Sequence, residues 1–102
     1  MQVYIYAAEG KYQGAHGINW CGVVDVDSLE EVDEYGYENA IWLFSAYSHC
    51  FDEEDIVEAD VYWEAYKIRS DINMSTNELD AIAAENDKES FIEEYCEKEM
   101  WG

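Results

Sequence analysis

The sequence contains no proline at all and only five Lys and Arg. The scarcity of bases argues against nucleic acid and anionic membranes as direct partners, because a chain of formal charge -20 is repelled by both. Cysteine is sparse too: Cys21, Cys50 and Cys96 are odd in number and form no close pair, which excludes a disulfide framework. No run approaches the roughly 18 apolar residues needed to span a bilayer. The opening Met1-Gln-Val-Tyr-Ile-Tyr6 has no basic segment followed by an apolar one, so no secretory leader is expected. A reduced, cytoplasmic protein is the expectation.

A charge of this size often marks disorder, since repelling chains with little apolar content cannot offset their ordering entropy. Here 49% of residues are hydrophobic and 16% aromatic, enough to build a core. The length of 102 residues fits one domain, taken as 1–102. The charge is unevenly spread. From Asp25 to Glu64 there are fourteen acids and no Lys or Arg.

Gln2 to Ala8 alternates Val3 and Ile5 with Tyr4 and Tyr6, as a strand does. Gly10 to Gly17 reads as a loop and Trp20 to Val26 as a second strand, the two strands forming a hairpin. Ser28-Leu-Glu-Glu31 fits a capping box that opens a short helix, with Gly36 expected to interrupt it. Glu38 to Cys50 has helical spacing, with a buried strand over Ala40 to Tyr47 as the alternative. Val57 to Arg69 has the period of a half-buried strand. In this register Val57, Ala59, Val61, Trp63 and Ala65 face inward, and Glu58, Asp60, Tyr62, Glu64 and Tyr66 face outward. Ser75-Thr-Asn-Glu78 is a second capping box, and Asn86 to Trp101 reads as a final helix. The fold class is α+β, a small antiparallel sheet packed by three or four helices.

The candidate partner-binding residues are Asp52, Glu53, Glu54 and Asp55, which precede the strand, and Glu58, Asp60, Tyr62 and Glu64 on its outward face. A solvated face that protects a sheet edge is the ordinary reading of such a strand. Forty residues without a compensating base favour a binding surface instead, because ordinary surfaces mix signs. Glu89, Glu93 and Glu97 form a second acidic row on the final helix. That helix carries one net charge per about 5 Å, too dilute alone to imitate a duplex at one per about 1.7 Å.

Cofactors and metals are not expected. Asp25-Val-Asp27 begins like a calcium loop, but Leu29 and Gly36 stand where ligands belong. His16, Cys21, His49 and Cys50 lack zinc-ligand spacing. Cys50 and Cys96 fall in helical patterns and read as small core residues. Tyr12-Gln-Gly14-Ala-His16-Gly17 lacks the Lys of a phosphate loop. No catalytic constellation stands out, so an enzyme is not expected.

A small, proline-free chain with acidic strands and helices resembles the DNA-mimic inhibitors of phages and plasmids, the anti-CRISPR and anti-restriction proteins. Val3-Tyr-Ile-Tyr6, Tyr12, Gly14, His16-Gly17 and Trp20 resemble the opening of ArdA-type anti-restriction proteins, with Ile18 and Asn19 inserted before the Trp. The resemblance implies carboxylates standing in for phosphates in the basic DNA or RNA groove of a host nuclease, a Cas effector or a restriction enzyme. A homodimer would extend such a surface. The alternative is an acidic adaptor that binds a basic protein through Tyr and Trp anchors without mimicry.

Overall fold

The computed structural model describes residues 1–9, 19–46 and 61–100, with side chains described over 1–8, 19–39 and 63–97. The protein is an α+β fold built on a four-stranded antiparallel sheet. Its elements in chain order are β1 (Gln2–Glu9), β2 (Asn19–Asp25), α1 (Leu29–Ala46), β3 (Val61–Ile68), α2 (Thr76–Glu85), α3 (Lys88–Tyr95) and β4 (Cys96–Met100). The strand order is β2-β1-β3-β4.

β1 is apolar on both faces, and this fixes its place at the centre. Val3, Ile5 and Ala7 point one way and Tyr4 and Ala8 the other, all fully buried. β2 pairs with it through Tyr4 opposite Val23 and Tyr6 opposite Cys21. β3 pairs on its other side through Ile5 opposite Ala65 and Tyr6 opposite Glu64. Each face of the sheet is covered. Val32 of α1 packs on Val3, Ile5, Val26 and Ala65, with Trp20 and Trp63 at the margin. Leu79 and Ala83 of α2 and Phe91 of α3 pack on Tyr4, Val23, Ile68 and Cys96. Phe91 stacks between Tyr4 and Tyr95, at centroid distances of 4.6 and 4.9 Å.

Both serines accept a hydrogen bond from the first turn of the helix that follows. The Ser28 hydroxyl accepts from the Glu31 amide (3.4 Å), and the Glu31 carboxylate reaches back to the Asp27 amide (2.8 Å). The Ser75 hydroxyl accepts from the Glu78 amide at 3.2 Å.

Three expectations need correction. Gly36 does not interrupt α1, which runs unbroken from Leu29 to Ala46 and so also excludes a strand over Ala40 to Ala46. Glycine is required there because the Trp63 indole lies against the helix backbone: a Cβ would stand 2.4 Å from Trp63 Cδ2. The final helix is shorter than its periodicity implied, ending at Tyr95, where the chain turns into β4. Cys96 is extended (φ -106°, ψ 158°), is buried, and pairs with Ile68, so the last residues satisfy the open edge of β3. Finally, β3 is not half-exposed. Residues Val57 to Asp60 lie outside the described part; of the face expected to be solvated, Glu64 is buried against Lys88 of α3 and Tyr66 is half-buried.

The free edge of β2 is blocked by a side chain. Asp80 of α2 accepts the Val23 amide at 2.9 Å, which removes a donor that an incoming strand would need. Gly22 makes room, since a Cβ there would lie 2.9 Å from the Asp80 oxygen and 2.8 Å from the Trp20 ring.

Candidate functional site

Of the eight residues the sequence singles out, Asp52, Glu53, Glu54, Asp55, Glu58 and Asp60 lie outside the described residues. Tyr62 pairs with Ala8 through its backbone, and its side chain is not among those described. Glu64 is placed clearly, and not on an outward face. It is only 6% exposed and lies under α3. Its carboxylate accepts the Tyr66 hydroxyl at 2.5 Å and the Lys88 ammonium at 2.7 Å. Lys88 Nζ also sits 4.6 Å from the centre of the Tyr6 ring. A buried carboxylate is tolerated only when its charge is matched and its oxygens are hydrogen-bonded. Glu64 thus helps hold α3 onto the sheet.

Burial, then the hydrogen bond to Glu64, pushes the Tyr66 phenol up to about 12, so it stays a donor at neutral pH. Burial pushes Cys96 up to about 12 as well and raises Cys21, whose thiol donates to the Ala83 carbonyl at 3.4 Å. Thiols raised in this way are poor nucleophiles. Among the described residues no group of His, Cys, Asp and Glu is arranged to hold a metal ion. None of the described helices is long and apolar enough to cross a membrane.

A surface that sequence reasoning missed lies on α1. Removing the expected break at Gly36 joins Glu30, Asp33, Glu34, Tyr37 and Glu38 on one helix, all of them exposed. At 3.6 residues per turn they occupy an arc of about 140°, opposite the buried Val32 and Gly36. The four acids span about 12 Å of helix axis, a mean separation of about 4 Å, near the roughly 3.4 Å of a single nucleic-acid strand. Tyr37 is 57% exposed among them, and Leu29 and Tyr35 are exposed at the flanks of the arc. The signal was present in the i, i+4 spacing of Glu30, Glu34 and Glu38. The helix-breaking reputation of Gly36 hid it.

The second acidic row is divided by the end of α3. Glu89 and Glu93 lie on the helix, and Glu97 lies on β4. Glu89 and Glu93 instead flank a groove of about 410 Å³ lined also by Tyr66, Lys88 and Ile92.

Fold and surface together define a small α+β protein with an acidic, tyrosine-bearing helix face. In comparison with known proteins, no family model, no curated protein and no solved structure matches the chain.

Proposed function

We propose that the protein is a nucleic-acid-mimic inhibitor, acting in the host cytoplasm, that blocks the basic DNA- or RNA-binding groove of a defence nuclease such as a Cas effector or restriction enzyme. The observation that carries this reading is the row of four exposed acids on α1 near single-strand charge spacing, inside a forty-residue stretch without a base. Carboxylates fixed on a rigid helix present charge where the groove's Lys and Arg expect phosphate, and complementary potential speeds encounter. Inhibition is competitive and needs no chemistry, cofactor or metal.

The adaptor reading is favoured by a different observation, the exposure of Tyr35 and Tyr37 beside those acids. Trp20 and Trp63 are committed to packing against the core, which leaves tyrosine as the anchor on the described surface. Competition separates the two. A panel of purified Cas effectors and restriction enzymes is assayed with the protein, then with excess uncleavable nucleic acid. A mimic inhibits at least one member and is displaced by the competitor. A complex that persists with nucleic acid bound supports the adaptor, and inhibition of no panel member counts against mimicry.

A further inference from the structure

The groove between β3 and α3 lies on the opposite face of the sheet from α1, and nothing in the mimic surface uses it. Its lining combines an aromatic ring and an aliphatic side chain, Tyr66 and Ile92, with two carboxylates, Glu89 and Glu93. The carboxylates are one helical turn apart, about 6 Å along the axis, and both are exposed. Lys88 also lines the groove, but its ammonium is held 2.7 Å from Glu64 and 4.6 Å from the Tyr6 ring centre. Its charge is therefore matched within the wall, and Glu89 and Glu93 leave the groove net negative.

We propose that this groove receives an arginine side chain of a partner protein. The planar guanidinium presents several donors in a fixed fork, suited to two neighbouring carboxylates, and it stacks on aromatic faces. Ile92 packs the aliphatic stem. A lysine would supply the charge without the fork or the stacking plane. The inference deepens the proposed function, since a basic partner is the source of such a side chain, and it adds an anchor on the face away from α1.

The test uses the isolated protein and a small probe, so it fails or succeeds independently of nuclease inhibition. N-acetylarginine amide is titrated while NMR follows the Ile92 methyls and the Tyr66 ring, with the lysine and citrulline analogues in parallel. The arginine probe should give saturable shifts at Ile92 and Tyr66, the lysine probe weaker ones and neutral citrulline none. Glu89→Gln/Glu93→Gln should weaken arginine binding roughly tenfold. Glu30→Gln/Glu34→Gln, on the other face, should leave it unchanged. The assignment is overturned if no shift saturates at Ile92 and Tyr66, or if citrulline or lysine binds as well as arginine. It is overturned equally if the two glutamine variants lose binding alike, which would indicate diffuse attraction.

Discussion

Gly36 sits in the middle of a helix, where glycine costs about 1 kcal/mol relative to alanine. An alanine there should therefore stabilise the protein on propensity alone. The Trp63 indole reverses the sign, because a new Cβ would meet Cδ2 at 2.4 Å and Cε3 at 2.6 Å. The fused ring has no flexible end to move aside, and it is anchored on β3. Gly36→Ala is expected to lose about 1–3 kcal/mol, the usual cost of overpacking, read from urea unfolding. Pairing it with Trp63→Leu should shrink the loss, since the obstructing ring is gone. A neutral or stabilising Gly36→Ala would show that α1 and β3 are further apart than described.

Among the described residues, burial raises Tyr4, Cys21, Cys96 and the half-buried Tyr66, and together they set the alkaline limit. Tyr66 and Cys96 are both pushed up to about 12, chiefly by burial, from ordinary values of 10.0 and 9.0. A raised value means that the folded state holds its proton where the unfolded state has released it. The contribution is complete below the unfolded value and is lost as pH rises through the folded one. Stability should therefore fall from about pH 9 towards pH 12. Tyr66→Phe should flatten that fall above pH 10, measured as unfolding free energy against pH. An unchanged slope in the variant would remove Tyr66 from the account.

At the scale of elements, the deciding question is which acidic surface a partner engages. Three sets of acids compete: the α1 arc, the residues that precede β3 in the sequence, and the α3 row. We expect Glu30→Lys/Asp33→Lys/Glu34→Lys to weaken binding and inhibition most. Each reversal replaces an attraction with a repulsion at the groove, whereas truncating one exposed acid costs only about 0–1 kcal/mol. Glu58→Lys/Asp60→Lys/Glu53→Lys changes the net charge equally and serves as the comparison, while Glu89→Lys/Glu93→Lys/Glu94→Lys, with the same charge change, also removes the arginine-binding carboxylates and should cause an intermediate loss. Equal losses in all three would mean long-range attraction without a defined site. Glu64 belongs in none of these sets, because its reversal would place a cation against Lys88 in a buried space.

These three sets also show where the sequence was legible. β1, β2 and the two capped helix starts follow from alternation and from Ser-x-x-Glu, which are local signals. The antiparallel α+β class follows from the same local order. What failed was non-local. Gly36 looks like a helix break until Trp63, twenty-seven residues away in sequence, is seen beside it. Cys96 continues a helical pattern until the open edge of β3 supplies a better partner for its backbone. Glu64 reads as a solvated strand position until Lys88 and Tyr66 close over it. In each case a contact distant in the chain overrode a local preference, and with Glu64 it took one residue out of the candidate surface.

For the molecule as a whole, the ruling quantity is the formal charge of -20 on 102 residues. Such a chain repels itself, and compaction brings the charges closer together. Against this stand a few internal ion pairs. Among the described residues they include Arg69 with Asp71 at 3.1 Å, which is exposed, and Lys88 with Glu64 at 2.7 Å, which is partly buried. Salt acts on both terms, but unequally. Screening shortens to about 10 Å at 0.1 M, weakening repulsion across the whole surface, while an exposed pair loses at most about 1 kcal/mol. The buried oxygens of Glu64 are screened least. The repulsive term should win, so the melting temperature should rise between low salt and several hundred millimolar sodium chloride. A gain of about 1 kcal/mol corresponds to roughly 4–8 °C for a domain of this size. Potassium chloride should give the same curve, since screening depends on ionic strength and not on the ion's identity. Magnesium chloride at matched ionic strength should stay close to that curve, with a modest excess from the doubled charge. A melting temperature that is flat or falls with salt would show that the ion pairs outweigh the repulsion. A large, saturating rise at micromolar magnesium would instead reveal a specific cation site and count against a surface whose carboxylates are all left for a basic partner.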